Sequence, residues 1–320
     1  LRLTGRLAGP VIAISLVVVV GISQGGQWAR TALVGTAVSS VISHHPITLV
    51  RAAIPVSPVP IAQPALRSVS DLAATLSDLV SNSGADVGIA FQELTADQPL
   101  AWSLNGDLSM EAASTYKQPL LEAEALGIAA HQISPDDQIC YQDSDWEDGP
   151  FGDYSDGSCF ARSDLMTRVG TYSDNTAAHM LVDDLGGDQA LQDFAAAHGA
   201  VGSDLSTDYP STTASDLAAL WVSEARGQIG GKASQDVLYP LLTNTIYEAG
   251  IPAGISGDVT VVHKVGIDDG IHHDSALVIA PTGDYVLVVM TDGLDDTDGW
   301  SLIAQISAAV WQFEAATPLS

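Results

Sequence analysis

Lysine is almost absent from this chain, and two of its three lysines sit in short motifs that constrain one another. The 320 residues hold Lys117, Lys232 and Lys264 against 39 acidic residues. Ser114-Thr115-Tyr116-Lys117 is an S-x-x-K tetrapeptide, Tyr172-Ser173-Asp174-Asn175 contains S-D-N, and His263-Lys264-Val265-Gly266 contains K-x-G. Taken singly, each has a plain structural reading. Ser114 and Lys117 can be an N-cap and an exposed lysine, and Ser173-Asp174-Asn175 a capping sequence for the helix that follows. The three together, in this order and in so lysine-poor a chain, point to one site assembled from separate segments.

The organisation of the chain supplies a scaffold for such a site. Arg2 and Arg6 precede an apolar run from Leu7 to Ile22. Residues 1–23 therefore read as an export segment, an uncleaved anchor in preference to a cleaved signal peptide, with the remainder outside the cytoplasm. Residues 24–67 read as a tether, because Pro46, Pro55, Pro58, Pro60 and Pro64 break any long helix. The folded domain is expected over 68–320. Ser70-Asp71 caps a helix through Leu72, Leu76, Leu79 and Val80, and 86–91 with 100–102 form paired strands. Helices are expected over 118–130, 175–185, 189–198 and 214–224. Strands follow over 259–264, 275–280 and 285–290, then a last helix over 301–313. Helix and strands at both ends around a helical middle describe a two-lobed α/β (α+β) fold. Its antiparallel sheet is covered by the N- and C-terminal helices, and a cleft separates it from an all-helical lobe.

Composition narrows the function classes. A formal charge of −28 argues against nucleic acid or an anionic membrane surface as partner. Cys140 and Cys159 are the only cysteines, and in an exported protein such a pair forms a disulfide, with two buried thiols as the alternative. Closing that loop stabilises the fold by about 3 kcal/mol in the chain-entropy picture. Asp143, Asp145, Glu147, Asp148 and Asp153 crowd the loop between the cysteines. A solvated acidic loop is the default there; the spacing misses the EF-hand pattern for calcium. His44-His45 and His272-His273 lack zinc-ligand spacing, and His263 is read as a packed histidine. No P-loop, dinucleotide fingerprint or H-E-x-x-H occurs, so neither cofactor nor metal is expected.

The three motifs have a coherent chemistry. Ser114 and Lys117, at i and i+3 on a helix, share one face. A hydroxyl at a helix N-terminus sits in a positive field that favours a developing alkoxide. Lysine serves as its base only with a lowered pKa, which burial and a second cation, Lys264, both promote. Ser173 can relay a proton to the leaving group and Asn175 can hold a substrate amide. Backbone N–H groups of Ser114 and Ile267 would form the oxyanion hole, and Gly266 allows close approach to that strand.

From about Ser68 to Phe313 the chain resembles the class A β-lactamase and penicillin-binding serine hydrolase family. Thr212-Thr213-Ala214 with Asp216-Leu217 resembles the segment after the family's Ω-loop, and His273-Asp274-Ser275-Ala276 resembles the strand after the K-x-G motif. The resemblance implies Ser114 as acylated nucleophile, Lys117 as base, Ser173 as proton relay and Lys264 as electrostatic anchor. Two departures follow. Class A enzymes carry an Ω-loop glutamate that activates the deacylating water, but between His198 and Thr213 this chain has only Asp204 and Asp208. The hydroxyl of K-[ST]-G, which helps bind a substrate carboxylate, is replaced by Val265. The expectation is an exported serine hydrolase acting on a β-lactam, a cell-wall peptide or an ester, and a poor β-lactamase. The alternatives are a β-lactamase with another deacylation base and a non-catalytic cell-wall-peptide binding domain.

Overall fold

The computed structural model describes residues 68–95, 99–206 and 209–316, so the segments 1–23 and 24–67 lie outside the described residues. In chain order the elements are α1 (Val69–Ser83), β1 (Asp86–Glu93), β2 (Ala101–Leu104), β3 (Met110–Glu111), α2 (Lys117–Ala129), β4 (Gln138–Cys140) and β5 (Cys159–Ala161). Then come α3 (Arg162–Tyr172), α4 (Asn175–Leu185), α5 (Asp188–Ala197), β6 (Ser211–Thr212), α6 (Ala214–Ala225) and α7 (Gly231–Leu238). The chain closes with β7 (Thr260–Asp268), β8 (Ile271–Ile279), β9 (Tyr285–Asp292) and α8 (Asp296–Ala316).

Five strands form one antiparallel sheet in the order β2-β1-β9-β8-β7. Alternation sorts the strand residues between two cores. Ile89, Phe91, Leu287 and Val289 face a layer with Leu72, Leu76, Ile303, Ile306 and Val310 of α1 and α8. Ala90, Val286, Val288 and Met290 face the other way, into a helical core with Leu121, Leu165, Leu181 and Trp221. Because both faces are covered, β9 reads as a continuous apolar run from Tyr285 to Met290. The two-lobed α/β fold with an antiparallel sheet is what the chain adopts.

Local details depart from the sequence expectation. The cap of α1 is Ser68, whose Oγ accepts from Asp71 N at 3.1 Å, and not Ser70. Helices α3 and α7 carry too few apolar residues at regular spacing to announce themselves. Cys140 and Cys159 face each other across β4 and β5 and are disulfide-bonded. The acidic loop between them is not simply solvated. Asp145 is buried and accepts from Gln142 N at 2.6 Å, and Asp153 forms a two-pronged pair with Arg168 at 2.6 and 2.9 Å. Among the described residues no helix is long and apolar enough to cross a membrane.

A polar bridge fixes the helical lobe to the sheet. Trp221 Nε1 donates to Ser275 Oγ at 2.9 Å, and Ser275 donates to Gln118 Oε1 at 2.7 Å. All three side chains are buried, so α2, α6 and β8 are held in one register. The residue before Gln118 is Lys117.

Candidate active site

Ser114 lies in a single 3-10 turn, Ala113–Tyr116, that runs directly into α2. Ala113 has φ 41°, a left-handed conformation that costs a residue with a Cβ about 1 kcal/mol or more. The turn is held by its surroundings: Ala112 N donates to Pro210 O at 2.7 Å and Thr115 Oγ1 to Ala112 O at 2.6 Å. On its other side runs β7, the edge strand carrying Lys264. Gly266 makes that approach possible. A Cβ there would lie 2.9 Å from Ala112 O and 3.0 Å from Thr115 Cγ2. Its bareness therefore lets the strand pack against the turn that carries Ser114.

Both motif lysines are buried, Lys117 with no exposed surface and Lys264 with 2%. Lys117 Nζ lies 3.0 Å from Ser114 Oγ, 2.8 Å from Ser173 O and in a short hydrogen bond with Asn175 Oδ1. Burial pulls the Lys117 pKa down to about 7, against the raising influence of Glu147 and Asp174. As a neutral amine it can donate to Ser173 O and Asn175 Oδ1 and turn its lone pair to the Ser114 hydroxyl. Lys264 Nζ donates to Ser173 Oγ at 2.9 Å and to Val265 O at 2.8 Å. Burial, and then the charge of Lys117, push its pKa well below the ordinary value. Two lysines thus meet over Ser173, one on its carbonyl and one on its hydroxyl.

The S-D-N tripeptide serves structure and site at once. Ser173 ends α3 in a left-handed conformation, φ 59°. Asp174 caps α4 by accepting from Ala177 N at 2.8 Å, as the capping reading requires, and also accepts from Tyr154 Oη at 2.5 Å. Asn175 opens α4 with its carbonyl oxygen on Lys117. Its amide donates to Glu147 Oε1 and to Asp148 O, each at 2.9 Å. A substrate amide carbonyl must therefore displace one of those acceptors to bind Asn175.

A cavity of about 350 Å³ opens over Ser114, Ser173, Asn175, Val265 and Ile267. A larger one of about 770 Å³ shares Ser114, Asn175 and Ile267 and continues to Glu111, Glu147 and His179. The sequence reading did not single out Glu147 or His179 for the site. His179 Nε2 lies 3.1 Å from Glu147 Oε2, so the acidic loop is tied to α4. The signal available was His179 one helical turn after Asn175, on the same face. Asp204 is engaged locally, accepting from Ser206 N at 3.2 Å and Ser206 Oγ at 2.9 Å, and Asp208 lies outside the described residues. His263, His272 and His273 are buried. His263 Nδ1 sits 2.9 Å from Asp274, and although burial opposes its charge, Asp274 and Glu248 hold its pKa at about 9. Among the described residues no group of three or more histidine, cysteine or acidic side chains could hold a metal ion.

Known structures share this arrangement of elements. PBP-A is 27% identical, covering 78% of this chain and 97% of its own, with a TM-score of 0.70. A mutant of PBP-A, solved as an acyl-enzyme complex with penicillin G, is 26% identical with a TM-score of 0.70, covering 78% of this chain and 98% of its own. A β-lactamase from Sphaerobacter thermophilus is 25% identical with a TM-score of 0.71, covering 80% of this chain and 100% of its own. No curated protein matches the chain by sequence. The sequence model of the Beta-lactamase enzyme family matches residues 71–313. With that span matched, the expectation of a non-catalytic binding domain gives way to an enzyme of the serine hydrolase type. The chain belongs to the Beta-lactamase enzyme family.

Proposed function

We propose that the protein attacks an amide or ester carbonyl through an acyl-Ser114 intermediate, as a penicillin-binding or cell-wall-peptide hydrolase. The observation that carries this reading is the 3.0 Å contact between Ser114 Oγ and a wholly buried Lys117 whose pKa lies near 7. In that state Lys117 takes the Ser114 proton as Oγ bonds to the carbonyl carbon. Ser173, held by Lys264, delivers a proton to the leaving group. Backbone N–H groups of Ser114 and Ile267 take the oxyanion, and Asn175 orients the substrate amide. The acyl-enzyme that the PBP-A mutant forms with penicillin G supports a β-lactam as one acyl donor. The absence of a glutamate between His198 and Thr213, and valine at 265, favour slow β-lactam turnover.

The disulfide and the arginine-flanked apolar run of 1–23 support an extracytoplasmic domain over 68–320, carried on the tether 24–67. The test is intact mass of the full chain after exposure to penicillin G and, separately, to a fluorophosphonate, beside Ser114→Ala. The reading requires a covalent adduct that disappears in the variant. Folded wild-type protein that reacts with neither probe would refute it.

A further inference from the structure

We propose that Glu147, held between Asn175 and His179, is the general base that activates the water clearing acyl-Ser114. The proposal rests on the acyl-Ser114 reading and names the group that completes its cycle. An acyl-serine is removed only if a base facing its cavity takes a proton from water as the water oxygen bonds to the acyl carbon. Several carboxylates line the cavity that contains Ser114, and hydrogen bonds set Asp145, Glu111, Asp268 and Asp148 apart from Glu147. Asp145 is buried, turned toward Gln142 N and hydrogen-bonded to Asp183. Glu111 and Asp268 bond each other on the β7 side. Asp148 accepts from Gly149 N at 3.2 Å.

Glu147 differs from all of these. Its Oε1 accepts from the same Asn175 amide whose carbonyl contacts Lys117, so two hydrogen bonds connect it to the lysine beside Ser114. Its Oε2 is held by His179 at 3.1 Å. Each carboxylate oxygen accepts more than one hydrogen bond, so both tethers leave room for a water. The side chain is 49% exposed, which keeps that water supplied from the cavity. His179 and Asn175 act as positioning residues: they fix the carboxylate from two directions.

The step balances as a hydrolysis. A proton passes from water to Glu147 as the water oxygen bonds to the acyl carbon and the carbonyl π pair moves to the oxyanion. Collapse breaks the C–Oγ bond, leaving its electron pair on Ser114 Oγ, which takes up the proton that Glu147 removed. Water and the acyl ester become a carboxylic acid and free Ser114. A base from the loop between the cysteines thereby stands in for the glutamate absent between His198 and Thr213.

The experiment follows the acyl-enzyme of the full chain by quenched intact mass, with penicillin G and with p-nitrophenyl acetate as acyl donors. Glu147→Gln keeps the shape and the Asn175 contact but removes the base. It is expected still to acylate Ser114, with a pH dependence displaced downward because the Glu147 charge no longer raises the Lys117 pKa, and to hold the adduct roughly 10²–10⁴ times longer. Glu147→Ala with added formate is the second arm, because a small carboxylate in the vacated space shortens the adduct lifetime only if the base is what was lost. Equal lifetimes in wild type and Glu147→Gln, or a wild-type adduct that never clears, would overturn the Glu147 assignment while leaving acyl-Ser114 standing. Absence of any wild-type adduct or turnover with either donor would overturn both.

Discussion

The helical lobe and the cleft beside it each hold a pair of buried cations, and the fold treats the two pairs in opposite ways. On α3, Arg162 and Arg168 are nearly buried and paired with carboxylates: Arg162 with Glu124 and Asp184 at 2.7 and 2.5 Å, Arg168 with Asp153 and Asp164. Their pKa values are raised despite burial, because neighbouring carboxylates outweigh it. At the cleft, Lys117 and Lys264 are as deeply buried, yet their hydrogen bonds run to hydroxyl, amide and carbonyl oxygens. Their pKa values fall. A buried cation with a carboxylate holds parts of the chain together. A buried lysine without one is held ready to lose its proton, a state that stabilises nothing by itself and is useful at a reaction centre.

Substitutions on each side should break this contrast in different observables. Lys117→Met removes the proposed base while conserving most of the buried volume. Adduct formation at Ser114 is expected to slow by about 10²–10⁴-fold, with the melting temperature unchanged or raised. Arg162→Ala should do the reverse. It leaves Glu124 buried and unpaired, and denaturant unfolding should report a loss of about 3–5 kcal/mol, while the folded fraction still acylates. Val265→Thr tests the missing hydroxyl beside Lys264. A donor restored there should speed acylation by carboxylate-bearing donors by up to about tenfold, the worth of one hydrogen bond, and leave neutral esters unaffected.

A last effect, read in stability and not in rate, concerns a buried acid. Burial raises the Glu224 pKa to about 8 from an ordinary 4.5. A carboxyl raised on folding contributes stability that is full below its unfolded value and is lost as pH rises through the folded one. Melting temperature should therefore fall between pH 5 and 8, and Glu224→Gln should flatten part of that fall. An identical pH dependence in the variant would show that Glu224 ionises normally.

How much of this could be read from sequence follows the same division. Helix α4 was legible to the residue, because Asp174 caps it and its apolar positions repeat at helical spacing. Ser114 and Lys117 were legible because i and i+3 place them on one face before any tertiary structure is known. Helix α3 was not, since its interior alternates Ser163, Asp164, Thr167, Arg168 and Thr171 with few apolar residues. Its place depends on ion pairs with Glu124 and Asp153, made by segments distant in the chain. Glu147 was hidden for the same reason. Its partner Asn175 is 28 residues away, and an acidic loop has no period from which to infer a contact. Lysine burial was inferred from the chemistry, but its cause differed in emphasis. For Lys117, desolvation alone lowers the pKa, and the repulsion between the two cations acts on Lys264.

The central claim, that burial prepares Lys117 to take the Ser114 proton, is tested most directly by the pH dependence of Ser114 modification. The second-order rate of fluorophosphonate labelling would be measured from pH 5 to 9, with intact mass confirming loss of the adduct in Ser114→Ala. The account predicts a rate that rises with pH, has its midpoint near 7 where Lys117 becomes neutral, and levels off above it. A rate that is flat across that range, or still climbing at pH 9 toward the ordinary lysine value of 10.5, would contradict it.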